Sequence, residues 1–435
     1  MKKRKWVLPI LFFMALSAVA QEKPEKWDLQ TCIDYAHRKN IQIQKSRIAW
    51  EGSVETTKEA KAQRLPTLSF SSAHNYTNRP YPEAGDKNSY SGNYNLSSSV
   101  VLFQGGKLKK NVQQMELQNQ VQELAIQEAE NNIELAITQA FLQLLYAKET
   151  VKLSQNTVEV SKAQRDRAEE LMKAGALSKA DLAQLTSQYT SDQYQLVVVK
   201  NTLADAQLEL KQLLELGIND DMAVVVPELT EEEVLVALPT KETVYLMALG
   251  VQPEIKYNQI HIKIAGVEKE KAWTGYLPSL QLSAGMGTSH LSGNNWGDQL
   301  KHNWSENVGL TLNVPIFNKR STKTALHLAQ LNVEEAELNY ESIQKELLKS
   351  VENTYQEALS AQERYRSAQE NLKAVDLSFQ LTQEQFFLGM KNTLEMLTEK
   401  NNFLSAQLEL LQAKYMAVLN VQLLNFYQGK DIVVE

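Results

Sequence analysis

At 435 residues the chain is long enough for two or three ordinary domains, and its formal net charge of −7 argues against nucleic acid as a partner. A single cysteine, Cys32, excludes an internal disulfide and reads as a small apolar residue on a helix. Six histidines, at 37, 74, 261, 290, 302 and 327, are scattered without paired metal-ligand spacing, and His290 and His302 read as solvated residues in or beside a loop.

The chain opens on a targeting device. Lys2, Lys3, Arg4 and Lys5 precede a short apolar core from Val7 to Leu16, and Ala18 and Ala20 supply the small residues of a cleavage site. Residues 1–20 are therefore expected to be a signal peptide, with an apolar core too short to span a bilayer stably. No cysteine lies near the cut to carry a lipid, and losing the four basic residues takes the net charge from −7 to −11. After the signal no apolar stretch is long enough for a membrane helix, so any membrane contact must come from strands.

Residues 21–217 form a first structural repeat: a helix, strands at ~67–77 and ~94–103, and a long helical hairpin at ~106–216. Leu68, Phe70 and Tyr76 share one strand face, as do Leu96, Val100 and Leu102. The connection Asn78–Asn93, rich in Gly, Asn and Tyr, reads as a surface loop. No proline lies between Glu83 and Val226, and no glycine from Lys107 to Ala174. A stretch of nearly 70 such residues, rich in Ala, Leu, Gln, Glu and Lys, predicts a helix reaching ~100 Å. Ile137, Leu144, Val151, Val158, Arg165 and Met172 recur every seven residues, beside a small-residue seam of Ala140, Ala147, Ser154, Ser161 and Ala168. Large beside small suits close coiled-coil packing. Gly175 can end this helix and Ser178 can cap a return helix whose seam is Leu182, Tyr189, Leu196, Leu203 and Leu210.

Residues 218–239, with Asp220, Asp221, Glu228 and Glu231 to Glu233, read as a solvated linker holding a short packed element. Residues 240–435 then repeat the plan: a helix, strands at ~280–290 and ~307–316, and a hairpin at ~319–428. A shift of 214 carries the first seam to Val351, Ala358, Tyr365, Leu372, Phe379 and Phe386, and Gly175 to Gly389. It carries the return seam to Met396, Phe403, Leu410, Ala417 and Leu424. Leu280, Leu282, Ala284 and Met286 alternate with Gln281, Ser283, Gly285 and Gly287, and Val308, Leu310, Leu312, Val314 and Ile316 with small or polar residues. The connection Leu291–Glu306 again reads as a surface loop, with Trp296 and Trp304 at a lipid interface or in loop packing.

Such period-two segments match outer-membrane barrel strands. A soluble sheet packed on helices would alternate similarly, and the exposed loops tilt the reading to a barrel. Four strands cannot close one, and open edges cannot face lipid, so two or three chains must share it. No P-loop, dinucleotide fingerprint or G-x-S-x-G elbow occurs, and no catalytic residue, metal ligand set or cofactor is expected.

The doubled Leu65-Pro66-Thr67-Leu68 and Leu277-Pro278-Ser279-Leu280 lead into strands in both halves. Leu102-Phe103-Gln104-Gly105-Gly106-Lys107 and Pro315-Ile316-Phe317-Asn318 mark the strand-to-long-helix junctions, and Gly175 to Ser178 and Gly389 to Asn392 the helix tips. In this order the chain resembles the TolC-like outer-membrane efflux protein family over essentially its whole mature length. The resemblance implies a mainly α protein with a small β-barrel. It would be a homotrimer whose 12-stranded barrel sits in outer-membrane lipid over an α-helical barrel crossing the periplasm. It implies a passive exit duct, joined by a periplasmic adaptor protein to an inner-membrane pump. The alternative is a periplasmic coiled-coil scaffold or adaptor without a membrane barrel. On the family reading, Leu171, Gly175 and Ser178, with Phe386, Gly389 and Asn392, are tip candidates for adaptor docking. Family members often narrow the periplasmic end with carboxylates before the second tip. The comparable stretch here holds Asp376, Gln380, Gln383 and Glu384, and glutamine at two places departs from that pattern.

Overall fold

The computed structural model describes residues 24, 26–83, 87–227, 229–292 and 295–433, and the expected signal peptide lies outside them. In the first half, α1 (Leu29–Lys39) and α2 (Ile41–Ala62) lead into β1 (Thr67–Asn78), β2 (Asn88–Gln104), α3 (Lys107–Lys173) and α4 (Lys179–Leu213). A short α5 (Glu231–Val234) precedes the second half. That half contains α6 (Lys241–Val251), α7 (Pro253–Trp273), β3 (Ser279–Leu291), α8 (Trp296–His302), β4 (Ser305–Asn313), α9 (Ser321–Phe387) and α10 (Thr393–Tyr427).

The halves are duplicates in length as well as order. Both long helices, α3 and α9, have 67 residues, and both return helices, α4 and α10, have 35. Nothing inside them breaks a helix, and what stops them is the same device twice. Gly175 (φ +77°) and Gly389 (φ +74°) adopt the left-handed conformation that an L side chain resists. At the first stop Ala176 N–H donates to Leu171 C=O (2.9 Å) and Gly175 N–H to Met172 C=O (3.1 Å). At the second, Met390 N–H donates to Gln385 C=O (2.9 Å) and Gly389 N–H to Phe386 C=O (3.0 Å). These paired bonds satisfy the last carbonyls of each long helix before the chain reverses.

The small-residue seam of α3 is buried throughout, from Ala140 and Ala147 through Ser154 and Ser161 to Ala168. Beside it Ile137, Leu144 and Val151 are buried, while Val158, Arg165 and Met172 are only half-buried towards the tip. In α4 the seam differs from expectation. Leu182, Tyr189, Leu196 and Leu203 are half-buried, and the covered residues are Leu185, Asp192, Ala206 and Leu210.

The main core sits about midway along the hairpins. Trp27, Leu29, Cys32, Ile33 and Ala36 pack on Ile137, Phe141, Leu144 and Leu145 of α3, with Tyr365, Ala417 and Val418 from the second half. Each fully covered large side chain there contributes about 1.5–3 kcal/mol. Burial pushes the Cys32 thiol up to about 12, which keeps it a neutral packing residue. The connector joins this core. Trp27 and Val224 form a parallel bridge, Val234 is fully buried, and Gln362 Nε2–H donates to the carbonyls of Val234 (3.2 Å) and Val236 (2.8 Å).

Candidate functional site

Two regions lie at opposite ends of the long helices. At one end the strands form a single antiparallel sheet in the order β1-β2-β3-β4. Strand β2 begins at Asn88, so much of the loop expected over Asn78–Asn93 is paired strand, with Asn78 opposite Asn88. Strand β4 ends at Asn313, because Pro315 has no N–H to give a ladder. The second expected loop, Leu291–Glu306, contains the short helix α8.

The register sorts side chains between two faces of unlike chemistry. Leu68, Phe70, Leu96, Val100, Leu282, Met286, Val308, Leu310 and Leu312 fall on one face. Many stand uncovered: Leu68 is 73% exposed, Phe70 68%, Val308 79% and Leu310 64%. The other face carries Thr67, Ser69, Ser71, Asn75 and Thr77 on β1, opposite Ser99, Ser97, Asn95, Ser91 and Ser89 on β2. It continues through Ser283, Gly285, Gly287 and Ser289 to Gly309, Asn307 and Ser305. Among the described residues of these strands it bears no ionisable side chain. Its hydroxyls meet across strands, as Ser69 Oγ and Ser97 Oγ do at 2.9 Å. A contiguous apolar sheet face without cover in its own chain is a contact surface for lipid or protein. No helix among the described residues is long and apolar enough to cross a membrane.

At the other end the two hairpin tips meet. Ser178 caps α4: its Oγ accepts from Asp181 N–H (3.1 Å) and donates to Asp181 Oδ2 (2.6 Å). Asn392 caps α10 reciprocally, its Oδ1 accepting from Glu395 N–H (2.9 Å) while its own N–H donates to Glu395 Oε2 (3.1 Å). Thr393 Oγ1 joins the tips by donating to Asp181 Oδ1 at 2.6 Å. The hydrogen bonds from Ser178, then that from Thr393, hold the Asp181 carboxyl below the usual aspartate range. Phe386, Met396 and Leu397 pack with Ala168 and Leu185, and the Arg167 guanidinium lies 4.5 Å from the Phe387 ring centre.

Of the six expected tip residues, Gly175, Ser178, Gly389 and Asn392 are exposed, Leu171 is half-buried and Phe386 is buried between the hairpins. Phe386 packs between the hairpins, while Leu388, Met390 and Leu394 present the exposed apolar surface of the second tip. Asp376, Gln380 and Gln383 fall on one face of α9 by helical spacing, with Glu384 beside Gln380. Asp376 and Gln383 are half-buried, and Gln380 and Glu384 are exposed.

A buried polar contact away from the tip turn escaped the sequence reading. Lys400 Nζ on α10 donates to Asp192 Oδ2 on α4 (2.6 Å) and to Ser161 Oγ on α3, which itself bonds Asp192. The available signal is broken symmetry: the 214-residue shift pairs Asp192 with Ala406 and Lys400 with Thr186.

His290, expected to be solvated, is only 7% exposed, with its ring 5.9 Å from that of Trp296. Trp296 and Trp304 are about half exposed, and Trp304 Nε1–H donates to Glu306 at 3.0 Å. Among the described residues no three or more His, Cys, Asp or Glu side chains converge as a metal site.

The family description matching this chain is that of the outer membrane efflux proteins, over residues 32–215 and 245–430, one stretch in each half. Outer membrane protein TolC of Escherichia coli (strain K12) is 22% identical over 439 residues, covering 96% of this chain and 85% of that one. A crystal structure of CusC has the same fold, with a TM-score of 0.80 at 17% identity, covering 99% of each chain. The outer membrane protein VceC of Vibrio cholerae gives 0.76 at 15% identity, covering 93% of this chain and 97% of that one. With both halves matched and the fold shared end to end, the chain belongs to the outer membrane efflux protein family.

Proposed function

We propose that three copies of the chain assemble into one passive exit duct, closed as a twelve-stranded barrel in outer-membrane lipid and continued by an α-helical barrel through the periplasm. One observation carries this reading: the sheet has an uncovered apolar face backed by a face of hydroxyls, amides and glycines. Lipid takes the first and water the second. The outer edges of β1 and β4 pair with no other strand among the described residues, and in lipid they must be sealed by neighbouring copies. The helix tips serve as the docking end for a periplasmic adaptor that joins the duct to an inner-membrane pump. Gly175, Ser178, Gly389 and Asn392 shape that end, and Asp376, Gln380, Gln383 and Glu384 line its narrowing. The chain supplies the passage and the pump supplies the energy.

Reconstitution tests the assembly. Detergent-extracted mature protein is expected to run as a heat-resistant trimer and to give stepwise conductance in a planar bilayer. A water-soluble monomer that leaves the bilayer non-conducting refutes it, and favours a periplasmic scaffold.

A further inference from the structure

Three strands bring two imidazoles over one bare glycine. His74 of β1, Gly92 of β2 and His290 of β3 are directly opposite one another in the register. A Cβ at Gly92 would meet the Cε1–Nδ1 edge of His290, 2.7 Å from its Nδ1, and would lie 3.2 Å from His74 Nδ1. Both nitrogens therefore converge on the space the glycine leaves. Tyr90 and Tyr94, flanking Gly92 along β2, close the ends, and each contacts both imidazoles with ring centres 5.3 to 6.2 Å apart.

The donor atoms are unevenly satisfied. His290 Nδ1 is buried and has no hydrogen-bond partner among the described residues, a costly state for a ring nitrogen. His74 Nε2 lies 2.8 Å from Ser72 Oγ. With Nε2–H donating to that hydroxyl, the lone pair of His74 is on Nδ1, where the Tyr90 hydroxyl meets it at 2.9 Å. The cluster lies on the same sheet face as Phe70, Leu96 and Met286, at its loop end, where His290 touches Trp296 of α8 in the connection between β3 and β4.

We propose that His74 and His290 form a binding site for a borderline divalent metal ion such as Zn²⁺ or Cu²⁺, with their two Nδ1 atoms as the protein ligands. Imidazole nitrogens favour these ions over Mg²⁺ and Ca²⁺, which take oxygen. Metal–nitrogen bonds of about 2.0–2.1 Å require both rings to turn towards the shared point and the Tyr90 hydroxyl to turn away from Nδ1. Two protein ligands leave the remaining positions to water or to the Tyr90 oxygen, so the ion exchanges freely. The ligands come from one chain's sheet, so the site does not depend on the assembly proposed above.

The test is metal binding to untagged, full-length protein in detergent. Added Cu²⁺ is expected to bind at one ion per chain and to give an electron paramagnetic resonance spectrum split by two nitrogens. In titration calorimetry with Zn²⁺, His74→Gln and His290→Gln should each weaken binding at least about tenfold, and Mg²⁺ should not compete. Gel mobility shows whether each variant still assembles as the parent does. No stoichiometric binding by the parent protein overturns the proposal, as does a Cu²⁺ spectrum without two-nitrogen splitting. Unchanged Zn²⁺ affinity in either assembled variant does so too. Because the spectrum is read on the parent protein, a misfolded variant leaves the test intact.

Discussion

Asp192 and Lys400 form a 2.6 Å ion pair whose side chains are only 7% and 4% exposed, tying the return helix of one hairpin to that of the other. The pair occurs once in a duplicated chain, so it fixes which hairpin is which. Charges this deeply buried are costly alone and tolerable together. Asp192→Ala or Lys400→Ala is expected to cost about 3–5 kcal/mol, because each strands the other charge. The double variant Asp192→Leu with Lys400→Met should recover most of that loss. Thermal unfolding of the three variants checks this, and a double variant no better than either single one refutes it.

The tip contact should loosen in acid. Hydrogen bonds from Ser178 and Thr393 depress the folded-state pKa of Asp181 below its ordinary 3.8. The stability they give is present above that value and is lost as pH falls through the lower folded value. Spin labels at Ala176 and Lys391 should therefore show a narrow distance distribution at pH 6 and a broad one well below pH 3.8. Thr393→Val should broaden it at both. A distribution indifferent to pH and to Thr393 would detach the tips from this bond.

Adjacent strand positions should respond oppositely to charge. Leu310→Arg places a guanidinium on the apolar face, at a cost of about 2–4 kcal/mol near the bilayer midplane, and should abolish the heat-resistant oligomer. Thr311→Arg, one residue along on the hydroxyl face, should assemble normally and shift ion preference towards anions. Equal tolerance of both would remove lipid from the apolar face.

The narrowing before the second tip should be weakly selective, since two of its four positions are glutamine. Gln380→Glu with Gln383→Glu is expected to raise the cation-to-anion permeability ratio several-fold, roughly as focused like charge does in a confined passage. Asp376→Ala with Glu384→Ala should move it towards unity. Reversal potentials in asymmetric salt measure both, and no movement in either would place all four residues away from the passage.

The long helices were legible because nothing in them competes: two runs without glycine or proline, ended by Gly175 and Gly389, leave helix as the consistent solution. The small-residue seam of α3 was legible for the same reason, as its period and its burial coincide. In α4 the expected seam is covered only at Leu210, and the stripe of Leu185, Asp192 and Ala206, three residues along, was hidden by the apolar stripe beside it. A lone aspartate at heptad spacing looks like any solvated acid until Lys400, from the other half of the chain, is brought to it. The first residues of β2 escaped because their alternating Asn, Ser, Tyr and Gly have loop composition, and only pairing with β1 makes them strand. His290 looked solvated because its cover, Trp296, folds back over it from α8.

The face of serines, asparagines and glycines holds no fixed ions among the described strand residues, and in the assembly proposed above it generates no Donnan potential along the outer stretch. A departing cation and a departing anion meet the same wall, with neither a well to linger in nor a barrier to climb. On the proposed assembly, selection among cargoes by charge therefore falls to the stretch before the sheet.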